Sequence, residues 1–320
     1  IPYYYKFIKA FSNIKELACE DQQQVLKLWE GLGYYARARN LHKAAQIVEK
    51  EYNGKIPQGF DTFLKLPGVG EYIASAVQSI AFSKCHAVVD GNVKRVLSRL
   101  FLLNEPVNRP ASYGSYKSVA QDLLVQSDPG DFNQAMMELG ALICKPRTPE
   151  CRVCPVQSYC EACKKNKTDI YPVKIKKKKV PTYKITAGVV IKDRKLLITR
   201  RKPEGLLGGL WEFPGGKIKE GEAPFAACVR EILEETGVEA RIKEHLTSVK
   251  HAYTHFKIQM DVFLCDFHKG KIILNGPIDY KWVTIDQIDD YAFPKANLKF
   301  FKVLKNTVKK DNVDMCLCVH

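Results

Sequence analysis

Apolar and polar residues follow two different periods along this chain, and the change falls near residue 183. Upstream the period is helical. From Asp21 to Tyr52 the pattern is continuous, with Leu41, Ala44, Ala45, Val48 and Tyr52 in one stripe that Asn53-Gly54 ends. Further helices are predicted over 59–66, 71–82, 92–101, 115–126 and 131–143, and the opening IPYYYKFIKAF has the spacing of a helix interior. Downstream the period shortens: TAGVVIKDRKLLITRR predicts two strands around a turn at Lys192-Asp193, and KIQMDVFLCDF another strand. The expected fold is multidomain, all-α over 1–170 and α+β over 184–308, with a linker over 171–183 and a tail over 309–320.

Composition adds size and compartment. A chain of 320 residues, 46% of them hydrophobic, can fill two ordinary domain cores. No apolar run approaches the roughly 18–20 residues that cross a bilayer, and no basic stretch followed by an apolar one opens the chain. No membrane partner is expected, and an intracellular protein of cytoplasm or nucleoid is. Because the chain opens on Ile1 rather than Met, its natural N-terminus is expected to lie upstream. The net charge of +15 is uneven, since residues 171–184 carry six Lys and no acid. Such a run is either a solvated tether or a strap along a phosphate backbone, where Lys releases counterions.

Eleven Cys in a reducing compartment do not form a disulfide framework, and the clustered ones point to metal. Cys19, Cys85, Cys228 and Cys265 stand singly among apolar residues and are expected to be buried small hydrophobes. Cys316 and Cys318 lie in the polar tail and carry no assignment.

Two stretches of the first half carry chemistry. Leu66-Pro67-Gly68-Val69-Gly70 separates two helical patterns, where glycines permit positive φ and bring backbone N–H groups toward a phosphate. VVDGNVKRVLSRL then delivers Asp90 to a helix start. An N-cap is the ordinary use of such a residue, and a helix N-terminus also favours a charged carboxylate, which suits a partner for a cationic sugar. Cys144, Cys151, Cys154 and Cys160 are spaced C-x6-C-x2-C-x5-C. The alternative set, Cys151, Cys154, Cys160 and Cys163, makes two CxxC pairs as in zinc sites, set closer together than in a zinc ribbon.

The hairpin followed by VDG resembles the endonuclease III superfamily of DNA glycosylases, and GLGYYARARNL (31–41) with FNQAMMELGALIC (132–144) resembles its MutY branch; the similarity covers nearly all of 1–163. It implies a helix-hairpin-helix domain with a 4Fe-4S cluster on Cys144, Cys151, Cys154 and Cys160, and nearby Lys145, Arg147 and Arg152 facing phosphates. The implied partner is duplex DNA with adenine opposite 8-oxoguanine or guanine, bound by a monomer. The implied reaction is hydrolysis of the N-glycosidic bond of extruded adenine: a general acid protonates N7 while Asp90 stabilises an oxocarbenium-like sugar. Gly68 and Gly70 would meet the backbone, Tyr72 and Asn92 would line the reaction site, Gln134 would contact adenine, and Tyr34 would wedge beside the lesion. Without the resemblance, Tyr34 and Tyr72 read equally as core aromatics and Gln134 as a surface residue. Bifunctional members place a Schiff-base Lys where Tyr72 stands, so no lyase step is expected. The family's general acid is a Glu upstream of Ile1, so the chain as given is expected to bind lesion DNA but to release adenine poorly.

Between Gly216 and Val238, GKIKEGEAPFAACVREILEETGV fits the Nudix pattern G-x5-E-x7-R-E-U-x-E-E-x-G-U at every fixed position. Glu231, Glu234 and Glu235, at i, i+3 and i+4, share a helix face. The resemblance implies Mg2+ on these carboxylates and the Gly216 carbonyl, with Arg230 orienting Glu231. WEFPGGK and YAFPKANLKFF resemble the MutT branch, in which an Asn after Phe-Pro reads the oxidised base; here that is Asn297. MutY proteins read 8-oxoguanine with a loop that corresponds to 251–255, making Thr254 and His255 candidate contacts. This half either only reads the lesion or also hydrolyses 8-oxo-dGTP. Alternatives for the whole chain are a nucleotide hydrolase with a DNA-tethering half, and a non-catalytic lesion binder.

Overall fold

The computed structural model describes residues 1–176 and 179–317, without side chains from 310 on. The chain packs as two compact units, Ile1–Glu49 together with the chain from Lys179 on, and the segment that begins at Lys50. The first unit therefore joins two stretches that the change of period assigns to different domains. It opens with α1 (Pro2–Ala10), α2 (Ile14–Cys19), α3 (Gln22–Leu28) and α4 (Tyr35–Tyr52). Asn13 and Asp21 cap α2 and α3 by accepting from the backbone N–H groups of Glu16 and Gln23. The helix predicted without a break from 21 to 52 is interrupted, because Gly31, Gly33 and Tyr34 adopt φ of 90°, 73° and 50°. Phe11, Leu17, Val25, Leu26, Tyr35, Ala38 and Ala45 share one core with Leu210 and Ala292, which is the physical reason the first 49 residues pack with the second stretch. Buried Arg39 donates to the carbonyls of Gly208 (2.7 Å) and Gly205 (3.2 Å). Cys19, expected inside, is exposed at the end of α2.

The second unit holds α5 (Phe60–Leu64), α6 (Glu71–Phe82), α7 (Gly91–Phe101), α8 (Tyr113–Leu123), α9 (Pro129–Glu138) and the short α10 (Glu161–Lys164). The helix predicted to continue to 143 gives way over Leu139–Ile143 to a π-helical turn. There Gly140 lies against Asn92, whose Cβ would be 2.6 Å from any Cβ at 140. Val89, Val93, Leu97, Tyr116 and Ala120 form the core of this unit. Cys85, also expected inside, is exposed, with Sγ 3.7 Å from the Gln126 carbonyl. The start of the predicted linker is fastened here. Val107 N–H donates to the Val173 carbonyl (3.1 Å), and Asn108 pairs with Ile175 through both N–H (2.9 Å) and C=O (2.8 Å). Lys177 and Lys178 of the linker lie outside the described residues.

Returning to the first unit, β1 (Thr182–Lys192), β2 (Lys195–Arg200), β3 (Trp211–Glu212), α11 (Pro224–Thr236), β4 (Glu239–Ala252), β5 (Lys257–Lys269), β6 (Asp279–Val283), α12 (Lys295–Leu298) and α13 (Phe301–Leu317) complete the fold. The sheet runs β3-β2-β1-β5-β4, with β6 also on β2, and only β1 and β5 pair in parallel. The β1–β2 turn sits one residue later than predicted, at Asp193 and Arg194, both with positive φ. Side chains alternate between two buried faces. Val189, Leu196, Ile198, Val262 and Leu264 face the core containing Phe293, Phe300 and Leu304, while Val190, Leu197, Phe263 and Cys265 pack with Cys228 and Ile232 of α11. Burial of both faces explains why these strands read as nearly unbroken apolar runs. The boundary placed at 309 falls inside α13, and Cys318 lies outside the described residues.

Candidate functional site

In the second unit, Asp90 is the N-cap of α7. Its Oδ1 accepts from Val93 N–H (2.7 Å) and its Oδ2 from Asn92 Nδ2 (3.0 Å), so both carboxylate oxygens are oriented. The segment leading to it is paired to side chains where a neighbouring strand would ordinarily stand. Gln121 donates to the Cys85 carbonyl (2.9 Å) and accepts from Ala87 N–H (3.0 Å), and Asn133 donates to the His86 carbonyl (2.9 Å) and accepts from Val88 N–H (2.9 Å). Lys117 Nζ donates to the Ala87 carbonyl (2.5 Å). Those to Ala87 and Val88 satisfy buried backbone groups, and together the bonds fix the level at which Asp90 emerges.

Two residues that sequence reasoning passed over, Arg95 and Arg99, connect this carboxylate to the cysteine loop. Arg95, 8% exposed, donates to Asn92 Oδ1 (2.9 Å), the Gly140 carbonyl (2.5 Å) and the Cys144 carbonyl (2.7 Å). Arg99, 2% exposed, donates to Cys144 Sγ (3.2 Å) and to the Lys145 carbonyl (2.8 Å). Their signal was present, since Asn92, Arg95 and Arg99 recur at i, i+3 and i+7 on the α7 face.

Of the two hairpin glycines, only Gly68 uses positive φ (76°), while Gly70 is the N-cap of α6 with φ −102°. A Cβ at exposed Gly70 would meet nothing within 4 Å, so the chain's own packing does not demand glycine there. Tyr72 is exposed at the start of α6, with its hydroxyl 3.9 Å from Met137 Sδ. Gln134 is exposed on α9, bonded to Asp131 (3.2 Å). α9 and its π turn are thus common neighbours of Tyr72, through Met137, and Asn92, through Gly140.

Cys144, Cys151, Cys154, Cys160 and Cys163 line one cavity together with Arg99 and Gln157. Burial, then the neighbouring Cys163, pushes the Cys151 thiol up to about 11. Among the described residues no three His, Cys, Asp or Glu side chains converge on a single ion. Thiols gathered around one cavity are a donor set that an iron–sulfur cluster can use.

In the first unit, Tyr34 and the β4–β5 turn meet. The Tyr34 hydroxyl lies 3.1 Å from Thr254 Oγ1, and Tyr253 N–H closes the turn onto the Phe256 carbonyl (2.8 Å). They line a cavity of about 590 Å³ with Arg37, His251, His255 and Lys295. The Arg37 guanidinium stands 4.8 Å from the centre of the Tyr34 ring. Burial, then Lys299 and Lys295, holds His251 below its ordinary range. Tyr34 is 62% exposed and so is no core aromatic. Asn297, by contrast, is 6% exposed in α12 and does not line this cavity. The two resemblances that supplied base-reading candidates therefore lead to different places.

The Nudix box is tied together by Arg230, which bonds Glu222 (2.7 and 2.8 Å), Glu231 (2.8 Å) and Glu234 (3.0 Å). A Cβ at Gly216 would fall 2.3 Å from a Glu231 oxygen, so the loop approaches α11 only with glycine there. The Gly216 carbonyl accepts from Thr186 N–H (2.8 Å). Glu235 accepts from Gly215 N–H (3.1 Å), and burial with neighbouring Glu212 pushes it up to about 8. Glu212 in turn pairs with Arg201 (2.7 Å).

Residues 1–113 match the family model described as HhH-GPD superfamily base excision DNA repair protein, and residues 186–303 match the NUDIX domain model. The chain is similar to the adenine DNA glycosylase of Mus musculus, 31% identical over 354 residues that cover 96% of this chain and 68% of that protein. Similarity to the adenine DNA glycosylase of Buchnera aphidicola subsp. Acyrthosiphon pisum is 33% over 265 residues, or 82% of this chain and 73% of that one. The solved structure of a thermostable thymine-DNA glycosylase is 30% identical over 51% of this chain and 76% of its own, with a TM-score of 0.47.

Proposed function

This chain belongs to the adenine DNA glycosylase family, and from that premise we propose that it removes adenine standing opposite 8-oxoguanine in duplex DNA. The observation that carries the catalytic reading is Asp90, a carboxylate with both oxygens oriented at a helix N-terminus. As the bond from C1′ to adenine N9 lengthens, the sugar gains positive charge, and Asp90 is a fixed anion for it. Asn92 and Val93 N–H hold that anion in place, so little reorganisation is left for the moment of reaction. The electrons of the breaking bond leave with adenine, a general acid other than Asp90 supplies the proton to N7, and water adds to C1′. Exposed Tyr72 and Gln134 are available to the extruded base.

The Tyr34–Thr254 cavity supports recognition of the oxidised base in the opposite strand. It offers an aromatic ring, two hydroxyls that hydrogen-bond, and the cations Arg37 and Lys295 for phosphates. Cys144, Cys151, Cys154 and Cys160 would hold a 4Fe-4S cluster, whose contribution when bound is to cross-link the loop that Arg95 and Arg99 anchor. A second reading for the Nudix half, hydrolysis of free 8-oxo-dGTP, is favoured by the complete carboxylate set, with Glu231 and Glu234 bonded to Arg230 and Glu235 to Gly215 N–H. Glu231, Glu234 and Glu235 would hold Mg2+ there, which supplies charge neutralisation for a diphosphate.

The test is single-turnover adenine release from an A:8-oxoguanine duplex by the full-length gene product. Asp90→Asn is expected to slow release by about 10²–10³-fold while lesion binding persists; release at the wild-type rate overturns the assignment. For the second reading, 8-oxo-dGTP turnover with Mg2+ that Glu234→Gln leaves untouched would remove it.

A further inference from the structure

Cys163 has no place in the C-x6-C-x2-C-x5-C set, yet its side chain lines the same cavity as the other four thiols. α10 puts it there. The helix starts directly from Cys160, whose carbonyl accepts from Lys164 N–H (3.0 Å), so Cys163 stands in its first turn. Cys163 and Cys151 are neighbours in the lining of that cavity. Its Sγ accepts from Gln157 Nε2 (3.9 Å), just as Cys144 Sγ accepts from Arg99 (3.2 Å). The loop therefore holds one more correctly placed thiol than a cubane cluster has corners.

We infer that Cys163 is a reserve ligand of this site, placed to take over the iron bond of Cys151. The inference rests on the 4Fe-4S reading above. The exchange needs no oxidant: the Cys163 thiol gives up its proton, its sulfur takes the iron bond that Cys151 releases, the departing Cys151 thiolate takes up a proton, and cluster charge is unchanged. The ligand set is then Cys144, Cys154, Cys160 and Cys163, with Cys160 and Cys163 as its CxxC pair in place of Cys151 and Cys154.

Iron and acid-labile sulfide per chain, together with visible circular dichroism, read the outcome in the purified full chain. Wild-type protein containing zinc and no iron removes the cluster reading itself. With the cluster present, Cys151→Ala and Cys163→Ala are each expected to retain wild-type iron and sulfide, whereas the double variant loses both. Cys151→Ala should also change the visible circular dichroism, because one corner now belongs to another part of the loop. If Cys151→Ala is as empty of iron as the double variant, the inference fails. Alkylation of native wild-type protein with iodoacetamide provides a measurement that does not depend on a variant folding. Cys163 is expected to be modified while Cys144, Cys151, Cys154 and Cys160 are protected, and protection of Cys163 in place of Cys151 overturns its reserve role.

Discussion

Arg95 takes one guanidinium to three acceptors on three parts of its unit, namely Asn92 Oδ1 and the carbonyls of Gly140 and Cys144. Replacing it with Met keeps the stem and strands those acceptors in a buried place, where each unmade bond costs about 1–3 kcal/mol. Arg95→Met is therefore expected to lower unfolding free energy by about 2–5 kcal/mol, read as a shift in the urea midpoint; an unmoved midpoint would show that Arg95 holds nothing. His251 gives a pH dependence at the same scale. Burial and two lysines keep its folded pKa below the unfolded value, so the unfolded chain takes the proton first as pH falls. Stability should be fully present above about pH 6.5 and decline as pH drops through the folded pKa. His251→Asn should flatten that decline in thermal melts between neutral and mildly acid pH, and an unchanged profile would assign the acid sensitivity elsewhere.

Among the elements, α11 lies so close to β1 that a Cβ at Gly188 would sit 2.4 Å from Ile232 Cδ1 and 3.0 Å from Cys228 Sγ. Gly188→Ala should cost about 1–3 kcal/mol by overpacking. Combining it with Ile232→Val, which removes the offending methyl, should recover part of that loss, and strict additivity in the double-mutant cycle would contradict the contact. The break between α3 and α4 works by the opposite means, since glycines at 31 and 33 permit positive φ and leave Tyr34 exposed beside Thr254. The helical stripe on either side was legible in the sequence. The break was not predicted, although Gly-Leu-Gly was visible, because a period of 3.6 carried across six residues hides an interruption of less than two turns.

For the molecule as a whole, binding to DNA should depend on salt through the lysine-rich connector. Lys174 and Lys176 are exposed on a segment that Asn108 fastens at Ile175. Replacing both with Gln should flatten the slope of log affinity against log salt by about 0.9 for each phosphate that these two lysines neutralise. An unchanged slope would leave this segment a simple tether.

Strand periodicity, the glycine hairpin, Asp90 at a helix start, the spaced thiols and the Nudix box were all legible in the sequence, because each is a local pattern that backbone geometry and ligand chemistry impose over a few turns. What only folding decided is which distant residues share a place. Leu210 and Ala292 complete the core of the first helices, and Thr254 meets Tyr34 across 220 residues of chain. Asn297, chosen by its motif, is buried in α12, and Cys163, left out of its motif, enters the thiol cavity. Local preference fixes where an element starts and which face is apolar; burial of that face selects the partner, and no spacing along the chain encodes that choice.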